Sequence, residues 1–352
     1  MNSYERILAM FEHREADRIP MTDSPWEGTL ARWRREGLPE NVAWDEHFGF
    51  DVIGNFGADT SPRYEEKVVE ETETHITRTT SWGVTLRQIK QQDSTPEFLH
   101  FTVTDPDSWR KAKERMTPSE DRVNWAALDR RYKRIRSMGG WVTGDLWFGF
   151  DITHSWFVGT ETLLVAMCEE PEWCIEMFNH ELDMSLAHMD MILDRGYRID
   201  SVKWPDDMGY KNCQFFSRDM YRELLKPVQK RACDWAHARG IKTHLHSCGD
   251  INPFVPDLIE IGIDALNPLE VKAGMDPIAL KKKYGDRLVL HGGLNAVLYD
   301  NVDEFIAEMD RIIPVLKENG GYIFSSDHSI PNNVSYADMK RIAEHAHEIG
   351  KY

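Results

Sequence analysis

Eight short apolar runs, each followed by a stretch of helical periodicity, constrain this chain more than any other feature. They fall at residues 18–23, 51–56, 141–147, 200–207, 242–249, 264–270, 288–294 and 321–328. Strands that alternate with helices imply a parallel sheet, because a parallel pair needs a crossover long enough to hold a helix. Eight such units predict an α/β fold of the (β/α)8 TIM-barrel class. The 352 residues then make one barrel over 1–352, where length alone would also allow two mid-sized domains. The intervening segments have suitable ends. Pro171 opens a helix over 172–193, in which Ile175, Phe178, Leu182, Leu186 and Met189 recur at threes and fours before Gly196. Ser217 is placed to cap a helix over 218–239, and Gly240 to end it. Further helices are predicted over 302–318 and 336–349. Residues 64–89 break the pattern, being rich in Thr and Val around Trp82-Gly83. They read as an antiparallel β-hairpin inserted after the second strand, an edge or lid spanning 64–103 with its flanks.

Charge and cysteine usage narrow the partners. Forty-two Lys and Arg against 59 Asp and Glu give a net charge of −17, which argues against a nucleic-acid partner or a basic membrane-binding face. No apolar run approaches the roughly 20 residues of a membrane span. The polar start Met1-Asn2-Ser3-Tyr4-Glu5-Arg6 does not read as a secretory signal. Cys168, Cys174, Cys213, Cys233 and Cys248 are an odd set without a compact framework, as expected in a reducing cytoplasm. The first four fall within or beside helical stretches and read as inert.

A TIM barrel does its chemistry at the C-terminal ends of its strands. Here those ends offer Asn55, then Asp145 to Trp147, then Lys203 to Asp207, then His244, His246 and Cys248, then Glu270, His291 and the pair Asp327-His328. His246 and Cys248 are two apart on a strand and share a face. Glu270 follows one helix and one strand later, at the equivalent height of the next stave, and His328 lies across the mouth. An imidazole, a thiolate, a carboxylate and a second imidazole suit zinc, with Asp327 competing with His328 for the last position. Plainer roles exist for each: His244 as a hydrogen-bonded barrel histidine, Cys248 as a small buried residue, Glu270 as a partner of Lys242 or Lys272, and Asp206-Asp207 as a helix cap. Trp26, Trp147, Phe148, Phe150, Trp156 and Trp204 near strand ends fit either core packing or the wall of a pocket for a stacked substrate. Asp23, Trp26, Asn55, Trp147, Phe148, Trp204 and His291 form the candidate substrate set.

Several stretches carry a resemblance: Asp206-Asp207-Met208-Gly209, Tyr221-Arg222-Glu223-Leu224 to Pro227, residues 240–249, residues 257–264, and Gly292-Gly293-Leu294. Together they make the chain similar to the uroporphyrinogen decarboxylase superfamily, over most of its length. That resemblance implies a (β/α)8 barrel and one of two chemistries. Decarboxylases of the superfamily carry an arginine-rich loop for the substrate's carboxylates, whereas the matching Met21-Thr22-Asp23-Ser24-Pro25-Trp26 offers an acid and a tryptophan. The cobalamin-linked methyltransferase branch holds zinc with His-x-Cys and often a Glu one strand later, which His246, Cys248 and Glu270 match. Where thiol-methylating members carry a last-strand Cys, this chain has His328. Imidazole in place of thiolate leaves a stronger Lewis acid, suited to polarising an ether oxygen. The resemblance therefore implies a zinc-dependent O-demethylating methyltransferase. It would move a methyl group from a small methoxylated aromatic donor to the Co(I) corrinoid (cobalamin) of a separate corrinoid protein. Asp206, Asp207 or Asp327 would orient the substrate or supply a proton to the phenolate. A decarboxylase or a methylcorrinoid:thiol methyltransferase is the alternative, and a homodimer stays open.

Overall fold

A computed structural model describes residues 1–90 and 95–352. Its strands in chain order are β1 Ile53–Phe56, β2 Lys67–Glu71, β3 His75–Thr79, β4 Val84–Ile89, β5 Glu97–Phe101, β6 Trp141–Asp145, β7 Ser201–Pro205, β8 Lys242–His246, β9 Ala265–Asn267, β10 Val289–His291 and β11 Tyr322–Ile323. Seven of the eight expected runs pair in parallel in the order β1-β6-β7-β8-β9-β10-β11, a curled sheet with helices in the crossovers. The register sets residues at common heights: Asn55 beside Thr143, Asp145 beside Lys203, Lys203 beside His244, and His246 beside Asn267.

The first expected strand is the exception. Residues 18–23 form no ladder strand but bridge the two ends of the sheet. Met21 pairs with Phe324, Thr22 N–H donates to Phe324 O at 3.0 Å, and Asp51 N–H donates to Met21 O at 2.8 Å. Pro20 and Pro25 remove two of the N–H donors that a ladder would use. Side-chain bonds compensate: the buried Asp51 carboxylate takes Arg18 Nη1 at 2.8 Å, Met21 N–H at 2.8 Å, and Arg6.

The helix Ser3–Phe11 closes the end where the strands begin. Asn2 caps it reciprocally with Glu5, at 2.8 and 3.0 Å. Its Ile7 and Phe11 pack with Trp141, Ala265, Val289 and Ile323, and the Phe11 and Trp141 rings stack at 5.4 Å. The larger core lies between the outward face of the sheet and the surrounding helices, around Val142, Val202, Trp204, Leu245 and Leu266.

The predicted helices form with two adjustments. Pro171–Asp194 and Tyr336–Ile349 match their patterns, and Val302–Leu316 stops two residues short. Ser217 caps Arg218–Met220 as expected, but Tyr221–Leu225 widens into a π turn before Lys226–His237. Pro227 explains this, since it cannot donate to the preceding turn. The insert is also larger than a hairpin: β2 to β5 form a four-stranded antiparallel sheet, with Gly83 at φ 81° turning β3 into β4. It packs on the π turn Thr153–Val158 through Trp82 on Phe157 and Phe98 on Trp156. Positions 91–94 of the expected insert lie outside the described residues. Among the described residues no helix is long and apolar enough to cross a membrane.

Candidate metal and substrate site

A cavity of about 700 Å³ opens inside the curled sheet. Its apolar end is Ile7, Phe11, Ile53, Trp141 and Ile323; its polar walls include Asn55, Thr143, Ser201, Lys203, His244, His246, Asn267 and His291. Strand alternation decides which side chains reach it. On β7, Ser201 and Lys203 point inward, while Val202 and Trp204 point outward and are fully buried under the helices.

At one side of the cavity three donors converge. Asp207, His246 and Cys248 each bring a ligand atom within 4.8 Å of the other two. Cys248 Sγ lies 3.4 Å from His246 Nε2, which lies 3.7 Å from Asp207 Oδ1. Two glycines bring the loops this close. A Cβ on Gly249, at φ 81°, would lie 2.2 Å from the Gly209 backbone, and one on Gly209 would lie 2.7 Å from Cys248 O. The contact lets Cys248 N–H donate to Asp207 Oδ1 at 2.8 Å.

The surroundings prepare these groups for a cation. Asn267 Oδ1 sits 2.7 Å from His246 Nδ1, so that nitrogen carries the proton and Nε2 presents its lone pair to the cluster. Burial, then the charge of Lys203, pushes the His246 imidazole toward its neutral, ligating form. Burial, then Asp207 and Glu270, pushes the Cys248 thiol up, so a thiolate there needs a positive partner. One N, one S and one O donor, half-buried, with the Cys248 thiolate and the Asp207 carboxylate repelling each other when both are ionised, fit a borderline-soft divalent metal such as zinc.

The other sequence candidates divide. Glu270 stands next to this cluster but not in it: Gly249 N–H donates to its Oε2 at 2.7 Å and Lys272 Nζ lies 3.3 Å from its Oε1. The reason is register, since β9 ends at Asn267 and the residue level with His246 is Asn267. His328 is exposed at the mouth, its ring 6.0 Å from that of Trp26, away from the three donors. Asp327 has both oxygens engaged by backbone, Val271 N–H and Ala296 N–H at 2.8 Å each, and so ties two loops together. Asp23, Trp26, Asn55 and His291 line the cavity as expected.

Trp147, Phe148, Trp204 and Asp206 do not line it. Phe148 and Trp204 are fully buried against each other at 5.4 Å, on the outward side dictated by alternation. Trp147 follows them into the helix layer, its N–H donating to Ser185 Oγ at 3.0 Å. Asp206 turns outward next to Asp207; burial pushes its carboxyl up to about 8, and it accepts from Gln229 Nε2 at 2.7 Å and Asp151 N–H at 3.1 Å.

Thr22 and Asn267 were not singled out from sequence, and each holds a group that was. Thr22 Oγ1 sits 2.7 Å from His291 Nε2, and His291 Nδ1 sits 3.3 Å from His244 Nε2, a chain of neutral rings along the wall. Burial pushes His291 down to about 3. Asp23 is pushed up to about 6 by burial, against hydrogen bonds from Ser326 N–H and Oγ at 3.0 Å. Lys203 and Arg131 are the cavity's cations. The signal that would have found Asn267 is the two-residue alternation carried across the register, which also turns Lys203 inward.

The uroporphyrinogen decarboxylase (URO-D) family matches this chain over residues 154–349, more than half its length, and the chain belongs to that family. The matched region contains the three converging donors. Among solved structures, the chain is similar to a methyltransferase from Methanosarcina mazei, at 17% identity and a TM-score of 0.62 over 99% of both chains. At that identity the likeness is one of fold. No curated protein is close enough in sequence to match.

Proposed function

We propose that this protein is a zinc-dependent methyltransferase. On this reading it removes the methyl group of a small methoxylated, aromatic donor and passes it to the Co(I) corrinoid of a partner protein. The observation that carries the reading is the convergence of Asp207 with His246 and Cys248, the latter two on the wall of a cavity large enough for such a donor. These residues would hold the metal, with Glu270 a further carboxylate beside Cys248. When bound, zinc supplies Lewis acidity toward the departing oxygen.

The chain's own groups do the rest. Asn267 fixes the His246 ring, and Cys248 N–H fixes Asp207. Trp26 and His328 flank the mouth, where a flat ring enters. As the C–O bond breaks, its electron pair stays on oxygen, which must then take up a proton. Asp23 is the cavity acid suited to supply it, because its carboxyl, at about 6, is partly protonated near neutral pH. Asp206, Asp207 and Asp327 are each committed elsewhere.

The test is metal analysis followed by turnover. About one zinc per chain is expected, together with methylcobalamin absorbance when a methoxyarene and a reduced corrinoid protein are supplied. Full activity in chelator-stripped protein, or carbon dioxide release from a porphyrinogen without methyl transfer, would overturn the reading.

A further inference from the structure

Lys203 and Arg131 line the cavity and Asp145 stands behind them; none of the three makes a hydrogen bond or an ion pair among the described residues. Arg131 is exposed, but for Lys203 and Asp145, both half-buried, this is unusual, since charge withdrawn from water normally finds a partner. Lys203 is level with Asp145 on one side and His244 on the other, so its stem projects inward from β7. Arg131 reaches the same cavity from the helix Trp125–Ser137, its guanidinium 5.9 Å from the centre of the Phe56 ring. Both cations act on the Asp145 carboxylate without bonding to it.

Two positive charges and one negative leave this wall of the cavity one positive charge in excess. A single anionic group between Lys203 and Arg131 would balance it and supply the missing acceptors. Lys203 stands one inward position below His246 in register, about 7 Å along the strand at two residues' rise. That distance matches the width of one aromatic ring between an anionic head and a reacting substituent.

We propose that Lys203, assisted by Arg131, is the specificity-determining anchor for a carboxylate on the methyl donor, so that the donor is a methoxylated carboxylic acid. This inference rests on the methyl-transfer reading for its substrate but not for its test. The experiment is calorimetric binding of 4-methoxybenzoate and of the neutral 4-methoxybenzyl alcohol to the purified protein, with and without zinc. The acid is expected to bind at least about tenfold more tightly, the loss expected for one charge-assisted contact. Lys203→Met should abolish that preference, and Lys203→Arg should retain most of it. Equal binding of acid and alcohol, no binding of either, or a preference that survives Lys203→Met in a folded variant would overturn the proposal. The native comparison stands even if Lys203→Met fails to fold. Preference for the acid without methyl transfer sinks only the proposed activity; methyl transfer without the preference sinks only this anchor.

Discussion

The two faces of β7 and the loop after it make opposite use of adjacent residues. Inward, Lys203 brings charge to a cavity and Asp207 joins His246 and Cys248; outward, Trp204 and Asp206 are sealed under helices. The outward face shows what burial alone does. Trp204 buries its whole indole, with no partner for Nε1, and Asp206 keeps its proton. The inward face shows what placement adds, since Asp207 at the next position accepts from Cys248 N–H and stands within reach of His246 and Cys248. Chemical residue type did not separate the two faces; strand parity did.

The sharpest way to break this comparison is to remove a donor. Cys248→Ala is expected to lose bound zinc and methyl transfer together while leaving the melting temperature of the metal-free protein near native, as read by metal analysis and calorimetry. Loss of activity with zinc retained would detach the cluster from metal binding. On the outward face the effect should invert. Trp204→Ala is expected to cost about 3–5 kcal/mol of stability through the cavity it leaves, with donor affinity in the folded fraction unchanged. Denaturant unfolding and ligand titration check the two halves separately.

Asn267→Ala probes the group that sets the His246 tautomer. Metal affinity should fall roughly 10–100-fold, as for other residues that orient a ligand, measured by competition with a chelator. The smallest effect belongs to the outward layer. Glu181 is fully buried, accepts from Thr153 Oγ1 at 3.0 Å and Gly149 N–H at 3.2 Å, and burial pushes its carboxyl well above the ordinary range. Its folded form holds a proton that the unfolded chain releases above about 4.3. The stability it contributes is therefore full below that value and is lost as pH rises toward its raised value in the fold. Glu181→Gln should flatten that decline, and unchanged pH dependence of unfolding would remove the argument.

Much of the fold was legible because hydrophobic period and end signals are local. Seven of eight strand runs and the helices at Pro171, Ser217 and Tyr336 follow from them. The run at 18–23 looked equivalent, yet its prolines and its dependence on Asp51 and Phe324 are properties of distant partners. In the site, His246 and Cys248 were legible because both lie on one strand and the turn after it. Glu270 stands level with Gly249 as the spacing implied, but outside the three donors, because β9 ends three residues earlier and an apolar run does not reveal where pairing stops. Trp204 and Phe148 were drawn to the substrate by their size, which parity overrules.

The seam at residues 18–25 also sets an order of events during synthesis. Met21 must lie between Asp51 and Phe324, so the ring of staves cannot be joined until the chain has been made almost to its end. The three donors at Asp207, His246 and Cys248 are complete long before that. A growing chain thus holds all three candidate donors before its sheet can be joined, with the N-terminal helix waiting for the last strand before it can close the far end.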